Sequence, residues 1–397
     1  MNPFDFISAK MYEFRLPPTI HFGPGCLGRL SGEAARFGKK ALIVTDQSMQ
    51  NAGYVSQTVN YLQAGGVEAL VYDQVNKEPT DIIVDQGINI FRQDSCDMVI
   101  CLGGGSPIDA GKAIAVMATN PGRIHDYMGI NKVPNNPAPL ITIPTTAGTG
   151  SEVTRVTIIT DTENDVKMLI ISNKMMPLVA IVDPLLTLSM PPWVTASTGI
   201  DALTHAIEAY ISKRAQPLTD ILALEAISFM GKYLRRAWAN PEDIEAKTYT
   251  MLASTLGGIA FSNSSVALVH GMSRPIGTCF HVPHGLSNAI LLPIVMEYSY
   301  MASPEKFALI AEAMGEKVDN LPVIEAAKKS IDAVSSLCAD LKIPLITELK
   351  VTVEDLIKLS PKMAEDALIS GSPNNNPRQA TKEDIVELYK LLLNLAS

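Results

Sequence analysis

Residues 97–105, DMVICLGGG, lead without a break into residues 106–115, SPIDAGKAIA. The first stretch is an apolar run that ends in glycine, which is typical of a buried strand in a parallel sheet. A helix is expected to start near Ser106 or Pro107, so that its free N–H groups lie at a glycine turn that a pyrophosphate can approach closely. The stretch therefore predicts a dinucleotide-binding α/β unit. Ile108 stands at the third glycine of the usual G-x-G-x-x-G, and a plain strand-to-helix turn is the alternative.

Strand-like and helix-like stretches alternate on both sides of this turn. The strand-like stretches are apolar and end at turn residues, whereas the helix-like ones carry apolar residues at three-to-four spacing. This alternation is typical of a parallel sheet with crossover helices. The predicted strands lie within 39–46, 67–75, 97–105, 139–150, 154–161 and 178–184, and the predicted crossover helices within 48–66 and 79–95.

A change of pattern follows residue 184, where LLTLSMPPWV introduces a Pro-Pro break. Beyond it the strand signature fades and long helical periods dominate, in 196–212, 219–239, 243–261 and 383–396. We therefore predict two domains: an α/β dinucleotide-binding domain over residues 1–187 and an all-α domain for metal and substrate over residues 188–397.

Bulk composition narrows the class of protein. The chain has 397 residues, of which 47% are hydrophobic and 18% charged, with a net charge of −9. No apolar run is long enough to span a bilayer, and the N-terminus lacks a secretory signal, so a soluble protein of the cytoplasm is expected. Five scattered cysteines fit reduced thiols. The negative charge disfavours nucleic acid and membranes as partners and favours small molecules.

Four of the six histidines lie in the helical half. Asp201 and His205 stand four residues apart on a predicted helix, so their side chains share one face. An ion pair or a helix-start aspartate explains that pair alone equally well. His270 and His284, however, lie in apolar stretches, and three imidazoles with one carboxylate form a first shell for Fe²⁺, Zn²⁺ or Mn²⁺.

Two further segments could bind a nucleotide. The loop PTTAGTGSE (144–152) is rich in small residues and could line a phosphate or a nicotinamide. Asp46 ends an early strand, where a carboxylate could accept hydrogen bonds from a ribose diol and would repel a 2′-phosphate. That interpretation favours NAD over NADP. The alternative is a turn or N-cap aspartate.

Taken together, these segments resemble the iron-containing (group III) alcohol dehydrogenase family over nearly the whole chain. The matching segments are FGPG (22–25), VTD (44–46), GGGSPIDAGKAIA (103–115), PTTAGTGSE (144–152), Lys167, GIDALTHAIEAY (199–210), LVHGMS (268–273), VPHGLSNAILLP (282–293) and NNNPR (374–378). The resemblance implies an N-terminal dinucleotide-binding domain, a C-terminal helical domain and an active site in the cleft between them.

The resemblance also assigns roles to residues. It places a metal ion, most often Fe²⁺ and in some members zinc, on Asp201, His205, His270 and His284. It places NAD on the pyrophosphate loop, on the ribose-binding aspartate, on the second loop and on a lysine near the nicotinamide ribose. It places Phe261 in the substrate pocket. The cofactor residues are Asp46, Gly103, Gly104, Gly105, Ser106, Asp109, Thr145, Thr146, Thr149 and Lys167.

One departure from the family pattern concerns the proton. Many members carry a second histidine four residues after the third metal ligand, whereas this chain has Arg274. A guanidinium there could bind an anionic substrate group through two hydrogen bonds, or it could pair with a neighbouring Asp or Glu. His281 could replace the missing histidine in a proton relay, or it could cap the loop.

The expected activity is hydride transfer between a nicotinamide and a short-chain primary alcohol or aldehyde, which could carry an anionic group. The main alternative is an NAD- and metal-dependent lyase of the dehydroquinate synthase type, which needs many lysines and arginines around a phosphorylated substrate. The third hypothesis is a non-enzymatic binding or filament-forming module. The chain is expected to form a homo-oligomer, a dimer or larger.

Overall fold

A computed structural model describes residues 11–76 and 78–394. Six strands form one parallel sheet: β1 (Thr19–Phe22), β2 (Lys40–Val44), β3 (Glu68–Tyr72), β4 (Met98–Gly103), β6 (Leu140–Pro144) and β9 (Val179–Val182). Their order across the sheet is β1-β9-β6-β4-β2-β3. Every residue of β4 and β6 is buried, because both faces of the sheet are covered.

Crossover helices connect these parallel strands, as the alternating pattern predicts. They are amphipathic or, in the case of α5, buried along most of their length. The helix after the glycine turn begins at Gly105, one residue before the predicted start. The helices of this half are α1 (Leu30–Ala35), α2 (Gln47–Asn51), α3 (Tyr54–Ala64), α4 (Asp81–Gln93) and α5 (Gly105–Thr119).

A second, three-stranded sheet lies apart from the parallel one, in the order β5-β8-β7. Its strands are β5 (Gly129–Ile130), β7 (Val156–Asp161) and β8 (Val166–Ile171), and β7 and β8 form an antiparallel hairpin. The pattern of 154–161 predicts a strand but not this separate sheet. Because β7 alternates buried and half-buried residues, it has only one covered face, unlike the strands of the parallel sheet.

The second half of the chain is helical throughout the described residues, as predicted. Its helices pack around one large core that runs from Ala196 to Leu392. They are α6 (Pro192–Ile211), α7 (Pro217–Ala239), α8 (Ile244–Asn263), α9 (Leu268–Phe280), α10 (His284–Ser299), α11 (Pro304–Ala313), α12 (Val323–Asp340), α13 (Val353–Ile369) and α14 (Lys382–Asn394). The last strand ends at Val182 and α6 begins at Pro192, on either side of the boundary at 187/188, which stays a prediction.

The two halves meet where the loop after β6 packs against α8. Gly150 has a φ of +60°, and a Cβ atom built there would lie 2.5 Å from the Cα of Gly258. No side chain fits between the two backbones, which explains a glycine on each side. Glu152 extends the same contact, since Thr255 donates a hydrogen bond to its carboxyl at 2.9 Å.

No single helix among residues 11–76 and 78–394 is long and apolar enough to cross a membrane. Helices α8 and α9 together reach the required length and composition, but they meet at 103°.

Candidate active site

A cleft of about 560 Å³ lies between the two halves. From the α/β half it is lined by Gly105 and Thr149, and from the helical half by His205 and His270. The glycine turn and the histidines, which stand far apart in the sequence, therefore face one space.

Helix α6 carries two of the predicted metal ligands. Its residues are buried from Ile200 to Ile211 because the surrounding helices cover it on every side. Asp201 and His205 are consequently enclosed polar side chains on a core helix. Such groups require partners, since an unpaired buried polar group costs about 1–3 kcal/mol.

The other two histidines approach from neighbouring helices. His270 lies in the first turn of α9, and His284 is the first residue of α10 after Pro283. The Nε2 atoms of His270 and His284 lie 3.8 Å and 3.9 Å from Asp201 Oδ1. One ligand atom from each of these three residues lies within 4.8 Å of the others, a spacing that one metal ion could bridge.

His205 lies beside this group rather than within it. Its ring stacks on Phe261 with centroids 4.4 Å apart, and its centroid is also 4.4 Å from that of His270. Its Nδ1 is buried, with no hydrogen-bond partner among the residues that the structure describes. The role of His205 as fourth ligand stays a prediction, and this orphaned nitrogen is consistent with it.

Asn288 lies at the centre of the converging acceptors. Its Nδ2 is 2.6 Å from Asp201 Oδ1, 3.1 Å from His270 Nε2 and 3.2 Å from His284 Nε2. An amide has only two protons for these three acceptors, so one acceptor remains without a donor. Lone pairs that converge in excess of the available protons are what a cation requires, and the donor set thus fits a divalent ion.

Electrostatics favour the metal-binding protonation states. Burial acts to raise the pKa of Asp201, but the three histidines and the hydrogen bond from Asn288 outweigh it and hold that pKa below its ordinary value. Burial holds the pKa of His270 well below its ordinary value, and it lowers that of His284 as well. A carboxylate beside neutral imidazoles is the form that ligates a metal.

Glu208 is a site residue that our reading of the sequence missed. Its carboxyl accepts hydrogen bonds from the backbone N–H of Ala267 at 2.9 Å and of Val269 at 2.5 Å, and lies 2.6 Å from His270 Nδ1. If Nδ1 carries the proton, Nε2 of His270 presents its lone pair to the cluster. The sequence contains a signal for this role, since Glu208 follows Asp201 by seven residues and so lies on the same helix face.

The glycine turn forms the other end of the cleft. Gly103 has a φ of +147°, and a Cβ there would lie 2.7 Å from Pro107. The next two glycines lie against the second small-residue loop: Gly104 faces Thr146 and Gly105 faces Thr149. The two predicted cofactor loops therefore adjoin, and Ser106 follows them in the first turn of α5.

Two hydroxyls near this turn have no partner. The Oγ1 atoms of Thr45 and Thr145 are buried without a hydrogen bond in the described part of the chain. Thr45 follows β2 and Thr145 follows β6, so both lie at the carboxyl end of the sheet, where ligands bind in α/β folds. Orphaned hydroxyls around a glycine turn fit a polar ligand such as a dinucleotide.

One carboxylate oxygen of Asp46 accepts backbone hydrogen bonds, and the other faces the glycine turn. Oδ1 caps α2 by accepting from the N–H of Ser48 at 2.8 Å and of Met49 at 3.1 Å. A Cβ on Gly103 would lie 3.4 Å from Oδ2, which places that oxygen beside the pyrophosphate loop. The N-cap interpretation is thus correct, and it leaves Oδ2 available to a ribose.

Asp109 supports the second loop from α5. Its carboxyl accepts from Ser151 Oγ at 2.8 Å and from the N–H of Ile158 at 3.0 Å. Lys112, one turn later, donates to Ser151 and to the Thr154 hydroxyl, and burial lowers its pKa to about 8. Asp109 lines the cleft, but its hydrogen bonds indicate that it positions the loop.

Three other predicted residues have distinct surroundings. Lys167 lies on β8 and pairs with Glu78 at 2.7 Å. Arg274 lines the cleft, and no ion pair within 4 Å is found for it among the described residues, so its role there stays a prediction. His281 ends α9 in the left-handed region with a φ of 56°, is exposed, and is not among the cleft-lining residues, which argues against a proton relay through it.

A cleft with a dinucleotide turn at one end and a carboxylate-histidine metal cluster at the other defines a metal-dependent, nucleotide-linked enzyme. The family model described as iron-containing alcohol dehydrogenase matches residues 17–184, and that for the C-terminal part of the Fe-containing family matches 195–393. 1,3-Propanediol dehydrogenase of Klebsiella pneumoniae is 41% identical over 97% of this chain and 99% of its own.

Solved structures agree with this match. A 1,3-propanediol oxidoreductase superposes with a TM-score of 0.94 at 41% identity and covers 96% of this chain and 100% of its own. A sulfoacetaldehyde reductase from Bifidobacterium kashiwanohense, solved with NAD⁺, superposes with a TM-score of 0.86 at 30% identity and covers 97% of this chain and 99% of its own.

The chain belongs to the iron-containing alcohol dehydrogenase family. It is an NAD-linked oxidoreductase that acts on alcohols or aldehydes, which confirms the expected fold and class of activity. The lyase and non-enzymatic alternatives are thereby set aside.

Proposed function

We propose that the chain interconverts a short-chain aldehyde and its primary alcohol, with one divalent ion on Asp201, His205, His270 and His284 and with NAD on the glycine turn. The observation that supports this most strongly is the shared cleft: His284, 41% exposed, opens the cluster into it, whereas Asp201 is 3% exposed. All four residues line the cleft, so a substrate oxygen could reach the ion from it.

When bound, the ion supplies Lewis-acid polarisation of a carbonyl, and the reduced nicotinamide supplies the hydride. The chain itself holds the metal ligands and the cofactor loop in place. Glu208 orients His270, Phe261 holds His205 by stacking, and the loop braced by Asp109 shapes the cofactor end. Such fixed placement is a major part of catalysis, because a misplacement of about 1 Å can lower a rate about a hundredfold.

We infer Fe²⁺ as the functional ion, in keeping with the family name. The ligand set of one carboxylate and imidazoles also binds Zn²⁺, which competes more strongly for such donors. We further propose that the protein functions as a homo-oligomer in the cytoplasm.

The decisive experiment is reconstitution of the metal-free protein under anaerobic conditions with Fe²⁺, Zn²⁺ or Mn²⁺. NADH oxidation is then followed at 340 nm with a series of short aldehydes. We expect aldehyde-dependent oxidation only with metal present and the highest turnover with Fe²⁺. A metal-free protein that reduces aldehydes equally well would contradict the proposal.

Cofactor preference provides a second test. Asp46→Gly is expected to raise kcat/KM for NADPH relative to NADH, because it removes the carboxylate that would repel a 2′-phosphate. Glycine is chosen because it preserves an N-cap to within a few tenths of a kcal/mol. Thr352→Gly, which alters the cap of α13 instead, is the control. An unchanged NADPH/NADH ratio in Asp46→Gly would show that Asp46 does not contact the ribose.

A further inference from the structure

The cleft carries an excess of positive side chains. Three arginines line it, Arg155, Arg214 and Arg274. The two carboxylates that line it are already engaged, since Asp109 accepts from Ser151 and Ile158, and Asp201 belongs to the metal cluster. A divalent ion would add further positive charge, in a chain whose net charge is −9.

Arg274 is the arginine nearest the chemistry. It follows His270 by four residues on α9, which places the two side chains on one face, one turn apart. Arg274 also lines the same cleft as His270 and His284, so the guanidinium and the cluster share one space.

The guanidinium of Arg274 makes no ion pair within 4 Å in the described chain. The nearest candidate, Glu208, is already occupied by Ala267, Val269 and His270. Arg274 is half-buried, and burial lowers its pKa, an effect that the charge of Glu208 opposes without direct contact. A partly desolvated guanidinium that makes no ion pair gains from a ligand that supplies an anion.

The other two arginines lie farther out. Arg155 is held by Asn173, and burial lowers its pKa, opposed by the charge of Glu13 and assisted by those of Arg15 and Arg214. Arg214 is exposed, and its side chain has no ion-pair partner in the described residues. Like charges gathered around one opening attract anions and raise their local concentration.

We propose that the substrate is an aldehyde that carries an oxyanion, a carboxylate or a sulfonate, and that Arg274 binds this group while the carbonyl faces the metal cluster. This proposal rests on the proposed function and names its substrate class. Arg274 is thus a specificity-determining residue, and Arg155 and Arg214 attract the anion to the cleft. A planar guanidinium suits the task, because it can bind two oxygens of such a group at once.

The backbones of His270 and Arg274 are about one helical turn, roughly 5.4 Å, apart along α9. We therefore choose probes that carry two methylene groups between the carbonyl and the anion. The probes are therefore 4-oxobutanoate for the carboxylate, 3-oxopropanesulfonate for the sulfonate, and butanal as the neutral chain of matched length.

The test measures kcat and KM for the three aldehydes with NADH in the wild type, Arg274→Leu, Arg274→Lys and Arg235→Leu. Arg235 is a matched control, since it pairs with Asp340 and is not among the cleft-lining residues. We expect Arg274→Leu to lower kcat/KM for an anionic aldehyde about 10- to 100-fold, chiefly through KM, and to leave butanal nearly unchanged. Arg274→Lys should recover part of the loss, and Arg235→Leu should lose nothing.

Binding of succinate to the NAD complex, measured by calorimetry, provides a readout independent of turnover, and Arg274→Leu should weaken it by a similar factor. The relative rates of the two anionic probes identify the oxyanion. Equal loss for neutral and anionic aldehydes, or a wild type that prefers butanal, would overturn the proposal while the proposed function stands. Failure of every aldehyde would instead reject the proposed function.

Discussion

His270→Ala is expected to remove the bound divalent ion and to lower turnover about a thousandfold, because metal polarisation contributes several kcal/mol to the transition state. The Nε2 atom of His270 converges on Asp201 and Asn288, as that of His284 does. Its loss also leaves the buried carboxyl of Glu208 without its imidazole partner. The measurements are metal content by mass spectrometry and NADH turnover after reconstitution.

His21→Ala is the matched control for this variant. His21 lies on β1 and pairs with Glu33 at 2.9 Å, in the α/β half and outside the cleft. It should retain metal and turnover. A His270→Ala protein that keeps both would show that the ion, or the chemistry, is elsewhere.

Glu208→Gln is expected to weaken metal binding about 10- to 100-fold, as the loss of an outer hydrogen-bond partner of a ligating histidine does. The amide NH₂ must face either Val269 or the pair of Ala267 and His270, all of which present donors. His270 then loses the partner that orients its ring. Metal affinity is measured by competition with a chelator, together with thermal unfolding of the metal-free protein.

Glu297→Gln is the control on the helix that carries His284. Glu297 is exposed on α10, and its replacement should leave metal affinity unchanged. If Glu208→Gln lowered only the unfolding temperature and not the metal affinity, its role would be structural and not one of positioning His270.

The alternation of apolar strands with amphipathic stretches was sufficient to predict the parallel sheet, its crossover helices and the helical second half. Periodicity succeeds here because each pattern reflects the face that a local element must bury. The separate β5-β8-β7 sheet could not be predicted in this way. Whether a strand pairs with one sheet or another depends on contacts between distant residues, such as that of Ile158 with Asp109.

The candidate site, too, could be predicted only in part from the sequence. The residue types and spacing of Asp201, His205, His270 and His284 suggested a metal site, because such donors are rarely buried together without one. Only the tertiary structure brought three of them within 4.8 Å and left His205 beside them. The partners of these donors were likewise undetermined, and the structure supplied them in Glu208 and Asn288.

The sequence by itself thus determined the architecture and the class of chemistry, since both depend on local patterns and on donor types. The tertiary structure decided the surroundings of the remaining charged and titratable groups. It placed Arg274 in the cleft, with no ion pair to a carboxylate among the described residues, and His281 at the exposed end of α9. A side chain's partner depends on how helices and loops distant in sequence pack together, and local periodicity carries no information about that packing.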